Sequence, residues 1–207
     1  MVEQFTQKIC MVIRENAAAP GSLCVCPPAG HRPMLAEAPL SIHATCVTYG
    51  DIGILLRGAS GSGKSSLAFR LIEDGATLVA DDRVYICRKN DTLYASCPPP
   101  LIGRLELRGL GLVRLQSIDE TPVNLVCDLV GPDEVERLPA RSWCEYLECR
   151  VRKIAFAPFV PNAVAVLRLA AHDVAGRVDP KTGAAVLTSD ETSAGANPRH
   201  EHEGECP

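Results

Sequence analysis

The stretch Gly58-Ala59-Ser60-Gly61-Ser62-Gly63-Lys64-Ser65 constrains this chain more than any other, because G-x-x-x-x-G-K-[ST] needs a strand before it and a helix after it. Its glycines let the backbone wrap closely enough for successive N–H groups to face phosphate oxygens. The following helix sets the positive end of its dipole on the same anion. Lys64 offers a point charge to β- and γ-phosphates, and Ser65 offers a hydroxyl to Mg²⁺. Both flanks fit. Upstream, "SIHATCVTYGDIGILLRG" reads as two apolar strands about a Tyr49-Gly50-Asp51 turn, with Ile52 to Leu56 the stronger. Downstream, "KSSLAFRLIEDG" places Leu67, Leu71 and Ile72 on one helical face and stops at Gly75, and "ATLVADD" is the next strand. Strand, loop, helix and strand in about thirty residues make a βαβ-like unit, so the class is α/β and the ligand a nucleotide.

A chain of 207 residues has room for one domain of this kind with appendages. Residues 1–38 hold "AAAPGS", "CPPAGHRP" and "AEAP" without sustained periodicity, which predicts a flexible leader. The folded body is expected over 39–188, and 189–207 reads as an acidic, disordered tail. The net charge of -4 resides in that tail, since residues 41–188 carry seventeen bases and seventeen acids. A neutral body argues against non-specific nucleic-acid binding. No apolar run approaches membrane-spanning length. The ten cysteines include only two close pairs, Cys24-x-Cys26 and Cys144-x4-Cys149, and no Cys-x-x-Cys, as expected of reduced thiols in a cytoplasmic protein. Further strands are predicted at Val84–Arg88, Leu93–Cys97, Leu125–Leu129 and Val164–Leu169, with the triple proline at 98–100 in a loop.

Three more groups carry chemistry. Asp81 and Asp82 end a strand expected beside the phosphate-loop strand; adjacent strand residues face opposite ways, so one suits the metal's water shell and the other a general base. Glu106 and Arg108, in "LELRGLGLVRL", are read as two charges on one face of a strand, the former a metal carboxylate and the latter a phosphate or substrate contact. His43 lies in a predicted strand just ahead of the phosphate loop, where a lone histidine is more often structural than functional.

Together, His43 before a Tyr-Gly turn, Gly58–Ser65, Val79–Asp82 and Leu105–Gly111 resemble the kinase domain of bifunctional HPr kinase/phosphorylase, whose L-E-[IL]-R-G-L-G string is the specific part. The resemblance covers about 42–170 and has the look of a short form without the family's N-terminal domain. It implies a phosphate-loop α/β domain similar to phosphoenolpyruvate carboxykinase, assembled as a hexamer. The implied activity is ATP- and Mg²⁺-dependent phosphorylation of a seryl hydroxyl of the phosphocarrier HPr, with phosphate-dependent dephosphorylation as the reverse function. Carried over by position, His43 and Lys64 would be active-site residues, Asp82 the proton acceptor, Ser65 and Glu106 the Mg²⁺ contacts, and Arg137 an active-site arginine, with Asp81 and Arg108 in support. The family's P-V-x-P-G-R-N-x-A loop is "PFVPNAVAV" here, without the Gly-Arg pair, so dephosphorylation is the weaker expectation. Two other functions fit the residues: a phosphate-loop kinase of a small metabolite, and a nucleotide-binding regulatory partner of a two-component system.

Overall fold

A strand apolar on both of its sides has to be covered on both faces, and Ile52, Ile54, Leu55 and Leu56 are all buried in the computed structural model of the protein, which describes residues 39–186. The expected leader and acidic tail lie outside those residues. In chain order the elements are β1 (Leu40–Ile42), β2 (Thr45–Tyr49), β3 (Ile52–Arg57), α1 (Lys64–Glu73), β4 (Thr77–Ala80), β5 (Val84–Lys89) and β6 (Thr92–Ser96). They continue with β7 (Arg104–Leu107), β8 (Gly111–Arg114), β9 (Glu120–Leu129), β10 (Ser142–Tyr146), β11 (Cys149–Phe156) and α2 (Ala163–Val174). The fold is mixed α/β.

The long strand β9 organises the sheet, whose order is β1-β5-β6-β9-β3-β2-β4. Its first half pairs with β6 antiparallel through Tyr94↔Pro122, and its second half pairs with β11 parallel through Arg152↔Leu125 to Phe156↔Leu129. Strand β3 runs parallel along its other edge. The sheet forks at β9 and curls. Gly53 sits at the register shift between β3 and β9, where a Cβ would fall 2.0 Å from the carbonyl oxygen of Pro122, so only glycine admits that approach.

Helices α1 and α2 cover one face, where Leu67, Leu71 and Leu167 pack with Ile54, Leu56 and Leu125. The opposite core joins Leu55, Val79 and Val126 to Val84, Ile86, Leu93 and Ala95 of the curled β5–β6 ribbon. Burying a leucine such as Leu71 stabilises the fold by about 2 kcal/mol, so α1 is held by its apolar face. The turn at Gly50 and the helix after the phosphate loop form as the sequence predicts. Six described cysteines, Cys144 and Cys149 among them, are free, and burial pushes the Cys46 and Cys127 thiols up, away from reactivity.

Three expectations are corrected. The segment Val164–Leu169 is not a strand but lies within α2, where Ala163, Leu167 and Ala171 are buried at a spacing of four. A short apolar run reads equally as buried strand or buried helix, and packing of Leu167 against the core under the phosphate-loop helix decides for helix. Strand β4 does not adjoin β3, because β2 pairs antiparallel with both and stands between them. β3 and β4 therefore remain parallel to each other, and their C-terminal ends still open on the same edge. Strand β7 stops at Leu107, which leaves Arg108 in the turn to β8 instead of on a strand face with Glu106.

One group of side chains escaped sequence reading. Arg168 on α2 is buried and donates to Asp179, with Nε 3.1 Å from Oδ2, and to Asp74 at the end of α1. Lys181 Nζ and Tyr49 Oη also donate to Asp74, at 2.6 and 2.8 Å. This network ties both helices and the segment after α2 together at the end of β2 remote from the phosphate loop.

Candidate active site

The edge where β3 and β4 end holds a cavity of about 320 Å³. The phosphate loop forms its floor. Ser62 N–H turns back to Ala59 O at 3.1 Å, and Gly63 enters α1 with φ of 95°, a left-handed conformation suited to glycine. Lys64, almost wholly buried, donates to the carbonyl oxygens of Gly58 and Ala59, both at 3.0 Å, which straps the loop and fixes the ammonium beneath the cavity. Ser60, Gly61, Gly63 and Ser65 line the same space, so its base is the amide-rich start of a helix. Just before the loop, Arg57 makes a two-pronged bond to Asp128, with Nε 2.7 Å and Nη2 2.8 Å from the carboxylate, and so locks β3 to β9 where the chain leaves the sheet.

The two aspartates separate, but in bends beyond the end of β4, where the left-handed backbone of Asp82 and not strand alternation sets their divergence. Asp81 turns inward and is buried. Its carboxylate accepts from Thr45 Oγ1 at 2.6 Å, from Ser65 Oγ at 3.0 Å and from the Glu106 N–H at 3.2 Å. Strand β2, the phosphate-loop helix and strand β7 thus meet on one anion. Asp82 turns outward, with φ of 65°, a left-handed conformation that aspartate tolerates better than most side chains. His43 Nε2 lies 3.5 Å from its Oδ1. His43 is not in a strand: it occupies the bend between β1 and β2, which frees its ring to reach across to Asp82.

Glu106 and Arg108 arrive from the β7–β8 hairpin, and both line the cavity. The cavity therefore joins cations, from Lys64 and Arg108, to carboxylates, from Asp81, Asp82 and Glu106. Ser65, Asp81 and Glu106 all line the cavity and carry the hard oxygen donors that Mg²⁺ takes when phosphates and water supply its remaining ligands, so these residue types fit that ion. Two residues in the site went unsignalled in the sequence. Thr45 is an ordinary strand threonine by type, and Phe159 lines the cavity from the segment after β11. Cys97 stands near enough to Asp81 that burial, and then the carboxylate's charge, push its thiol up. Arg137 is not brought in: it is exposed in the loop between β9 and β10 and does not line this cavity.

The model of the HPr serine kinase C-terminal domain family matches residues 34–157, which spans β1 to β11 and every residue placed in the cavity except Phe159. The chain belongs to that family. Among curated relatives, the HPr kinase/phosphorylase of Neisseria meningitidis is 36% identical over 139 residues, 60% of this chain and 43% of the relative. The HPr kinase/phosphorylase of Bordetella petrii is 34% identical over 171 residues, 72% of this chain and 56% of the relative. The chain thus spans about half the length of these relatives. The solved HPr(Ser) kinase/phosphatase of Coxiella burnetii superposes with a TM-score of 0.57 at 26% identity, covering 62% of this chain and 91% of that one. The L-E-L-R-G-L-G string lies within the matched residues and forms the β7–β8 hairpin that brings Glu106 and Arg108 to the cavity.

Proposed function

We propose that this protein is an ATP- and Mg²⁺-dependent kinase that phosphorylates a seryl hydroxyl of an HPr-like phosphocarrier. The observation that carries this is the meeting of Lys64, Ser65, Asp82 and Glu106 in one cavity at the end of the phosphate-loop strand. Lys64 and the loop amides hold and neutralise the β- and γ-phosphates. Ser65, Asp81 and Glu106 would hold a magnesium ion, which would supply charge neutralisation on the phosphates. Asp82 accepts the proton of the attacking hydroxyl, with His43 beside it to orient the carboxylate and balance its charge. Arg108, which lines the same cavity, would contact the transferred phosphoryl group.

A metabolite kinase encloses its acceptor, whereas the candidate base here is 76% exposed at the cavity mouth. An acceptor hydroxyl presented on another protein's surface suits that placement. The same proposal includes a phosphoenolpyruvate carboxykinase-like fold, a hexameric assembly and a cytoplasmic setting. Dephosphorylation is the weaker half, because the segment at 158–166 lacks the Gly-Arg pair before Asn162. Incubation with ATP, Mg²⁺ and purified HPr, followed by mass spectrometry of the carrier, should show one added phosphoryl group on a serine. An unmodified carrier, with ATP consumed on a small molecule instead, overturns the assignment.

A further inference from the structure

Beside the charged cavity lies a second one, of about 510 Å³, and its character is opposite. Leu129, Val130 and Pro132, from the end of β9 and the turn after it, form one wall. Pro158 and Val160, from the segment between β11 and α2, form another. Phe159 belongs to both cavities. The residue is 73% exposed, and its ring lies over the phosphate loop, where a Cβ on Gly63 would fall 2.7 Å from its Cζ. Arg70 on α1 fixes the same segment by donating to the Pro158 carbonyl at 2.9 Å. An aromatic ring that the fold holds in place and leaves uncovered has a face free to stack.

We infer that the second cavity receives the base of the nucleotide whose phosphates occupy the first, with Phe159 as its stacking surface; this rests on the nucleotide reading above. A nucleoside triphosphate is a polyanion at one end and a flat apolar ring at the other, and the two cavities divide in the same way. The first carries Lys64 and Arg108. The second is mostly apolar, and its one charged side chain is Glu134, whose Oε1 accepts the Gly131 N–H at 2.9 Å. A carboxylate repels phosphate but accepts from an exocyclic amino group, such as that of adenine. Continuity is supplied by the loop itself, since Ser62 lines the apolar side while its neighbours Gly61 and Gly63 line the charged one. The volume lies in the range of small-ligand sites.

The test compares ATP with tripolyphosphate, which has the same anionic end and no base, by calorimetric titration of the full chain and of Phe159→Ala and Phe159→Tyr. Loss of a base–aromatic stack should weaken ATP binding by about ten-fold or more in Phe159→Ala. Tripolyphosphate affinity should stay unchanged, and Phe159→Tyr should restore ATP affinity. An unchanged tripolyphosphate affinity also shows that the loop is still folded. Equal losses for both ligands would show Phe159 acting through the shape of the phosphate loop, and unchanged ATP affinity would leave the cavity to another occupant; either result overturns the base subsite. A parent protein that binds neither ligand overturns the nucleotide reading itself, which separates the two failures.

Discussion

Ser65 Oγ donates to both carboxylate oxygens of Asp81, at 3.0 and 3.2 Å, so the last residue of the phosphate loop and the first after β4 act as one unit. Thr45 and the Glu106 N–H complete the set of donors around that carboxylate. Asp81→Asn places an amide NH₂ among donors that need an acceptor and removes the charge from the metal wall. Steady-state assays should show activity reduced by at least about 10². Thr45→Val keeps the shape and leaves one buried oxygen short of a partner, at a cost of about 1–3 kcal/mol in denaturant titration.

Asp82 separates stability from catalysis. Its left-handed backbone costs little in glycine, so Asp82→Gly should leave the melting temperature unchanged or raise it slightly while removing the proposed base. Asp82→Asn should bind nucleotide normally and lower phosphotransfer by roughly 10²–10⁴. A larger loss in Asp81→Asn with Asp82→Asn nearly silent would exchange the two roles.

Lys64→Ala removes both the charge aimed at the phosphates and the bonds that strap Gly58 and Ala59. Turnover should fall below detection, with circular dichroism unchanged because the sheet core does not involve this side chain. Wild-type activity in the variant would detach the loop from catalysis.

The segment before α2 offers a gain-of-function test. Pro161 is exposed, and Asn162 stands at the start of α2 without a side-chain cap bond, so inserting Gly-Arg between them opens only the turn closed by the Ala163 N–H and the Val160 carbonyl. A guanidinium there would relieve the repulsion between phosphate and a phosphoseryl group by two-pronged contact. Pyrophosphate release from phosphoseryl-HPr should rise more than the forward rate. A parent protein that already dephosphorylates the carrier as fast as it phosphorylates it would refute the loop's role.

Acid should weaken the fold through the Arg168 network. Burial disfavours the charge on Asp74 and Asp179, but hydrogen bonds from Lys181 and Arg168 outweigh it and hold both carboxyls below their ordinary range. Groups whose folded pKa is lowered stabilise the native state above their unfolded pKa, and that contribution is lost as pH falls through the folded value. Urea midpoints should therefore drop below about pH 4, and Asp179→Asn should flatten the drop. Arg168→Ala, which strands the buried carboxylate of Asp179, should cost about 3 kcal/mol at neutral pH.

The phosphate loop, its flanking strand and helix, and the L-E-L-R-G-L-G string were legible because their chemistry is local: a backbone that must wrap a phosphate needs those glycines at that spacing. That Asp81 and Asp82 take different sides was expected from alternation, but the strand ends at Ala80 and the left-handed backbone of Asp82 sets their divergence instead. What could not be read is what distant segments do to one another. Nothing in "HATCVTYG" says that β2 lies between β3 and β4, or that Thr45 therefore reaches Asp81, thirty-six residues away. The apolar run at 164–169 was ambiguous by composition, and packing of Leu167 against the phosphate-loop layer made it a helix. Arg168, Asp74 and Asp179 are unremarkable charges in the sequence and become a buried network only when two helices and the segment after α2 converge. Sequence alone determined which groups can handle a phosphate; tertiary structure decided which of them share a cavity, because sheet order and helix packing set side-chain distances that spacing along the chain does not encode.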